Sequence, residues 1–537
     1  VTEIQFTSRS VSRRTVIKGA AATAAAIPLS QLLGGEVGAA GKVLRIGAGK
    51  PNQTPVPGLT SDAGSLQILG CVGEWLAWTD EKGALEPRVA ESWKASNGLK
   101  TWTFKIRKGI KFHDGTPLTV DDVVWTFKWH VDPKNASNQL GNFKGIFDAA
   151  GVVKVDASTV QFNLLDANAN FPYIVASNPS YGSLIIKNGT SGGAGWEKTM
   201  IAAGPWKLES YTEGVKTVFV RNEDYWDAKR IPSFEKLELV QFVSAAAAMP
   251  QLKTGKLDAI IAAQPADVTK LNKAKFQLQL TPSARTIHTH MRCDWGPFTD
   301  KRVRRAAALT FDRAGYIKGV LKGFGSIGND CIMDAFPTKD TSVPQRDKDL
   351  TEAKALMAAA GNKGFSVDLS SWKRDDIDAL AQVIKTSFKQ IGINVTLKID
   401  GSGGGGSVYY TYVPYPSKKG VIFEYDNNSW LASNLGITDW GGRPTPDVYL
   451  KREYMSTADW SAAHYNSAAF DAAANEYLTA ASNAKKKAAS KKMQVICLED
   501  VPYMLPYYDV SISPQRKGLT GVLVNGMSQV SCHDAKG

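Results

Sequence analysis

Residues 85–128 read LEPRVAESWKASNGLKTWTFKIRKGIKFHDGTPLTVDDVVWTFK, and this run contains a complete strand, turn and helix. Trp102, Phe104 and Ile106 alternate with Thr101, Thr103, Lys105 and Arg107, the period-two pattern of a strand with one buried face. Asn97-Gly98 turns the chain before that strand and His113-Asp114-Gly115 turns it afterwards, since glycine tolerates the positive φ that such turns need. Thr119 followed by Asp122 predicts a capped helix start, with a carboxylate at the positive helix end. Val120, Val123, Val124, Phe127 and Val131 then fall at helical spacing, so the unit reads as packed scaffold.

In unbroken order, GLKTWTFKIRKGIKFHDGTPLTVDDVVWTFK closely resembles the signature of the extracytoplasmic solute-binding proteins of family 5, which serve ABC importers of peptides, nickel chelates, opines and related solutes. AGPWKLESYTEGVKTVFVRNEDYWD at 203–227 is a second match. Pro297-Phe298-Thr299-Asp300 with its basic helix and Asp312-Arg313 is a third, and Tyr503–Tyr508 matches a late return crossing. The resemblance covers residues 43–525 and implies an α/β fold of two lobes around a ligand cleft, the first lobe enlarged by an extra subdomain. It implies residues 41–287 as lobe I with the subdomain at about 77–200, 288–503 as lobe II, and 504–537 as a return to lobe I and a C-terminal tail. Glu74 corresponds loosely to a position near the cleft.

At 537 residues the chain exceeds one ordinary core. With 43% hydrophobic and 21% charged residues it has the balance of a soluble globular protein rather than a membrane or disordered one. Ser12-Arg13-Arg14-Thr15-Val16-Ile17-Lys18 matches a twin-arginine pattern, Gly19–Leu33 is a short Ala-rich apolar stretch, and Val37–Ala40 offers small residues for cleavage. Residues 1–40 are therefore expected to be a signal peptide. The next cysteine is Cys71, so the exported chain is expected to be free in the periplasm without a lipid anchor. The formal charge of +13 falls to about +11 without that segment. No zinc-finger spacing or RNA-binding segment accompanies this charge; the Lys485–Lys487 and Lys491-Lys492 clusters read as a solvated helix face.

Further along, 151–165 reads as a hairpin, 257–261 as a strand, 375–391 as an amphipathic helix closed by Gly392, 401–406 as a glycine loop or hinge, and 478–498 as one helix. His288 and His290 share a strand face, but no third ligand completes a metal set. Of five cysteines, Cys293 and Cys331 flank one helical unit and are a candidate disulfide, while Cys497 reads as a buried thiol. No phosphate loop or nucleophile elbow is present. The chain is thus expected to be a binding protein that is not an enzyme and carries no cofactor or metal, with an exported hydrolase or a non-transport solute sensor as alternatives.

Two departures from the family pattern bear on specificity. Peptide-binding members carry an Asp, pairing with the peptide ammonium, at the position occupied here by Gly442, ahead of Pro446-Asp447; Arg443 follows. At the first crossing Arg292 stands where relatives often have Asn. Arginine presents a planar fork to carboxylate or phosphate, so a small anionic or zwitterionic solute is expected, such as an opine-like amino-acid conjugate, a short acidic peptide or a sugar acid. The expected ligand contacts are Arg292, Trp295, Asp330, Trp430, Asp439, Trp440 and Arg443, with the tryptophans as flat apolar walls. Asp439 is the substitute ammonium anchor if the ligand is an ordinary peptide. The expected partners are that solute and an inner-membrane permease complex, with no nucleic acid and a monomeric chain.

Overall fold

The computed structural model describes residues 43–537 apart from 61, 81–82, 178–181, 401–428 and 527. Residues 1–40 and the glycine run at 401–406 lie outside the described residues.

The opening strand Val43–Gly49 runs parallel to Lys236–Phe242, with Ile46 opposite Leu239. It is one of the inner strands of a seven-stranded sheet, ordered Phe276–Pro282, Val510–Arg516, Ala259–Ile260, Val43–Gly49, Lys236–Phe242, Lys216–Arg221 and Trp206–Thr212. Leu44, Ile46, Leu237 and Leu239 pack beneath the helix Ala63–Val72 with Trp75 and Trp206. The strand expected at 257–261 pairs with Val43–Gly49 only at Ala259–Ile260.

The quoted stretch forms its own subdomain. Thr101–Ile106 is a central strand of a four-stranded antiparallel sheet, between Ala90–Ser96 and Thr159–Asn163, with Val152–Asp156 at the edge. Gly98 has φ 58° and Gly115 has φ 84°, which is why the flanking turns use glycine. The helix Val120–Val131 begins where the Thr119 N–H donates to Asp122 Oδ2 at 2.7 Å. The other Asp122 oxygen accepts from the Asn188 N–H at 2.8 Å, so one cap also fixes a distant loop. Phe104, Phe127, Phe162 and Phe171 are fully buried together, Phe127 meeting Phe162 edge-on at 5.0 Å.

A third sheet has five strands, ordered Ile393–Asp400, Phe365–Trp372, Leu435–Trp440, Thr286–Met291 and Tyr503–Met504. The helix Asp375–Lys389 buries Ile377, Leu380, Ala381, Ile384 and Phe388 in the core of this sheet. The helix expected at 478–498 is Asn483–Asp500, and Leu478 instead ends a separate helix, Ala468–Leu478. They separate because Ser482 caps the second, accepting from the Lys485 N–H at 3.3 Å.

The chain leaves the seven-stranded sheet after Pro282 and enters the five-stranded sheet at Thr286. It returns between Tyr508 and Val510. These two crossings lie side by side: the Ser283 N–H donates to Asp509 O at 3.1 Å, and the Asp509 N–H to Arg285 O at 2.9 Å. Two α/β lobes joined in this way are the expected architecture, and the structure has it.

Candidate functional site

A cavity of about 840 Å³ opens beside the crossings. Pro282, Ser283 and Ala284 form its floor. Thr79, Asp80, Asn170, Tyr173, Asn525 and Gly526 line it from the first lobe, and Asp334–Lys339, Gly442–Pro446, Tyr477, Lys486 and Lys487 from the second. Four cationic side chains, Lys339, Arg443, Lys486 and Lys487, face two carboxylates, Asp80 and Asp334.

The lobes touch across this cavity. Asn170 Nδ2 donates to Asp447 Oδ2 at 2.7 Å, Lys486 Nζ donates to Asn170 Oδ1, and the Ala169 N–H donates to Leu478 O at 3.1 Å. Lys486 belongs to the lysine cluster that reads as a solvated face, but it is half-buried and lies over Tyr477 at 5.7 Å. Burial lowers its pKa, with Asp447 opposing the shift.

Gly442 lies where the two lobes come close. A Cβ at this position would sit 2.4 Å from Ser283 Oγ and 2.9 Å from Gly526 O, both across the crossing. The second lobe approaches the first here only because there is no side chain.

Of the seven residues expected to bind ligand, Arg443 alone lines the cavity. The others make different contacts. Asp439 Oδ2 accepts from Arg374 Nη1 at 2.6 Å and Arg285 Nη2 at 3.2 Å. Burial would raise its pKa, but the two guanidinium groups outweigh it and hold the carboxyl below its usual value. Asp330 is fully buried between Arg313 at 2.6 Å and Arg346 at 2.7 Å. Arg292 donates to Asp294 at 2.8 Å and to Ala432 O at 3.2 Å, and lies near Trp295, which is 61% exposed. Trp430 is buried and donates to Thr438 Oγ1 at 3.0 Å, and Trp440 packs between Tyr449 and Trp460. Local sequence does not reveal which face a side chain takes, and intramolecular counter-charges capture the three charged groups, Arg292, Asp330 and Asp439. The candidate Cys293–Cys331 disulfide is not formed: all five cysteines are free thiols, and the Cys293 thiol donates to Met291 O at 3.4 Å.

Glu74 is likewise occupied. It is buried against Arg88 at 2.7 Å and accepts from Tyr225. His288 faces Glu453 at 2.9 Å, and His290 faces Ser433 and Thr438.

Asp334 is one of the cavity residues that sequence reasoning missed, with Asp80, Lys339, Lys486 and Lys487. It sits on the turn Ile332–Ala335, where Oδ1 accepts from Gln494 Nε2 at 2.7 Å. Oδ2 is buried without a hydrogen-bond partner among the described residues. Burial pushes its carboxyl up to about 6, partly offset by the Gln494 hydrogen bond. Nothing local in Ile332-Met333-Asp334 distinguishes it from a capping aspartate.

Residues 84–461 match the family model described as bacterial extracellular solute-binding proteins, family 5 (middle region). The chain is 24% identical over 501 residues to heme-binding protein A of Haemophilus influenzae, covering 86% of this chain and 85% of that one. It is 24% identical over 502 residues to the dipeptide-binding protein of Escherichia coli, covering 88% and 89%. The fold is similar to that of the periplasmic murein tripeptide binding protein in its unliganded open form. That similarity has a TM-score of 0.77 at 22% identity, over 93% of this chain and 98% of that one.

Proposed function

The chain belongs to the bacterial extracellular solute-binding proteins of family 5, whose members serve as binding components of ABC importers, and we propose that it captures a small anionic or zwitterionic solute between its lobes for delivery to a membrane permease. The relatives are named for different ligands, heme, dipeptide and murein tripeptide, so ligand class is read from the cavity of this chain. The observation that carries it is the excess of cations in the cavity wall, Lys339, Arg443, Lys486 and Lys487 against Asp80 and Asp334. A carboxylate or similar anion is held by Arg443, and an ammonium group, where the solute has one, by the Asp334 carboxylate of the wall. A volume of about 840 Å³ suits a solute of metabolite or short-peptide size.

The protein performs no chemistry on its solute; affinity for the closed state drives lobe closure. The seven-stranded sheet with the subdomain moves as one body and the five-stranded sheet with its helices as the other. The chain is exported through its twin-arginine segment and works as an unanchored monomer in the periplasm.

Thermal-shift screening with opine-like conjugates, sugar acids, short acidic peptides and cationic peptides tests this reading. A true ligand at a hundred times its Kd stabilises by about 2.7 kcal/mol. Stabilisation by anionic or zwitterionic compounds that is weakened in Arg443→Ala is expected. Stabilisation by cationic peptides alone, or turnover of the stabilising compound, refutes it.

A further inference from the structure

We propose that the four-stranded subdomain is the clasp of the cleft: its loop 168–170 grips the second lobe through Asn170 and holds the lobes together in the unliganded chain. The two crossings join the lobes covalently, and this contact is a further, reversible connection.

The loop has a fixed shape. The Asn168 N–H donates to Leu99 O at 3.3 Å, and Asn168 O accepts from Trp102 Nε1 at 3.1 Å, so the strand Thr101–Ile106 and the turn before it hold the loop in place. Asn168 Oδ1 accepts from the Asn170 N–H at 2.8 Å. The next residue, Phe171, is fully buried in the subdomain core, its ring 5.1 Å from that of Phe162. The backbone therefore presents the Asn170 side chain from a rigid support.

Three hydrogen bonds then reach the second lobe. The Ala169 N–H donates at 3.1 Å to the carbonyl of Leu478, the last residue of the helix Ala468–Leu478. Asn170 Nδ2 donates to Asp447 Oδ2 at 2.7 Å, and Asn170 Oδ1 accepts from Lys486, near the start of the helix Asn483–Asp500. Asn170 and Asp447 are 2% and 4% exposed, so water competes poorly for these bonds. Both side-chain bonds are charge-assisted, since one carboxamide donates to a carboxylate and accepts from an ammonium group. The carboxamide is neutral and adds no net charge to the interface.

The contact is also built to release. Lys486 and Asp447 belong to the same lobe and bond the same carboxamide, so they remain neighbours when Asn170 withdraws. They then neutralise each other, and opening strands no buried charge. A contact satisfied in both arrangements allows the lobes to part again at a permease. That role in capture rests on the solute-binding reading above, whereas the clasp itself is tested without solute.

The test is amide hydrogen exchange of the full chain, unfolded and refolded to remove bound solute, with fragmentation that resolves single amides. The Ala169 amide is expected to exchange at least about tenfold faster in Asn170→Ala than in wild type. The amides of Thr101–Ile106 are expected to exchange alike in both, which shows that the subdomain stays folded. Asn170→Asp sets a carboxylate against Asp447 and is expected to exchange as fast as Asn170→Ala. Adding Asp447→Asn swaps donor and acceptor and is expected to restore slow exchange. Unprotected exchange of Ala169 in wild type, unchanged exchange in Asn170→Ala, or no restoration in the double variant overturns the clasp. Where Asn170→Ala also loosens Thr101–Ile106, Lys486→Met decides, because it lies outside the subdomain: faster exchange at Ala169 supports the clasp, and unchanged exchange overturns it. A thermal-shift screen that finds no stabilising solute overturns capture and leaves the clasp standing.

Discussion

Arg285, on the outgoing crossing, and Asp509, on the returning one, form an ion pair, and their backbones are joined by the Asp509 N–H to Arg285 O bond of 2.9 Å. The same guanidinium reaches Asp439, and Asp439 reaches Arg374. The joint between the lobes is therefore a charge network in which each carboxylate has a guanidinium partner. Burial works against the Arg285 charge but is outweighed by Asp439 and Asp509, so its pKa is raised.

Replacing Arg285 leaves Asp439 and Asp509 with less counter-charge at the point where the lobes pivot. The Arg285 side chain is about a third exposed, so the stability lost is small, about 1 kcal/mol. The larger expected effect is on geometry. Small-angle scattering of unliganded Arg285→Ala is expected to show a larger radius of gyration than wild type, and an identical curve contradicts a role in setting the lobe angle.

A side chain at Gly442 is expected to hinder closure more than folding, because its clash is with Ser283 and Gly526 of the opposite side. Gly442→Ala is expected to keep a melting temperature close to wild type without ligand. It is expected to lose at least tenfold in affinity, read by titration calorimetry, for whichever solute stabilises the wild type. Unchanged affinity means that the close approach is not part of the bound state.

Asp334 predicts opposite pH effects on binding and stability. A carboxyl moved from 3.8 to about 6 binds more proton in the folded chain than in the unfolded one across that window. Its contribution to stability therefore falls as pH rises from about 4 to about 6, by on the order of 3 kcal/mol. Asp334→Asn is expected to remove that dependence and to be at least as stable as wild type at pH 7.5. An ammonium-bearing ligand needs the ionised carboxylate, so wild-type affinity is expected to drop about tenfold between pH 7 and pH 5. Asp334→Asn is expected to bind such a ligand weakly at both. Equal pH profiles for the two proteins exclude Asp334 as the anchor.

Asp330 is expected to matter for stability alone. Its removal leaves Arg313 and Arg346, 3% and 7% exposed, without their shared carboxylate. Asp330→Ala is expected to lose about 3–5 kcal/mol in chemical denaturation. The fraction that remains folded is expected to retain wild-type ligand affinity. A selective loss of affinity with normal stability would instead place Asp330 at the ligand.

Sequence by itself determined the local units and the family. The Trp102, Phe104, Ile106 alternation and the Thr119–Asp122 cap are legible because their causes lie within a few residues, in strand period and in unsatisfied helix amides. Element ends shifted where a cap intervened, as at Ser482. What only the tertiary structure decided is pairing across long stretches of chain. Asp439 is captured by Arg285 and Arg374, Lys486 turns into the cavity, and Asp334 Oδ2 is buried without a hydrogen-bond partner among the described residues. The physical reason is that a charged side chain takes its role from the partner that desolvates or neutralises it. That partner is selected by how two lobes and two crossing segments pack, which no spacing within the sequence records.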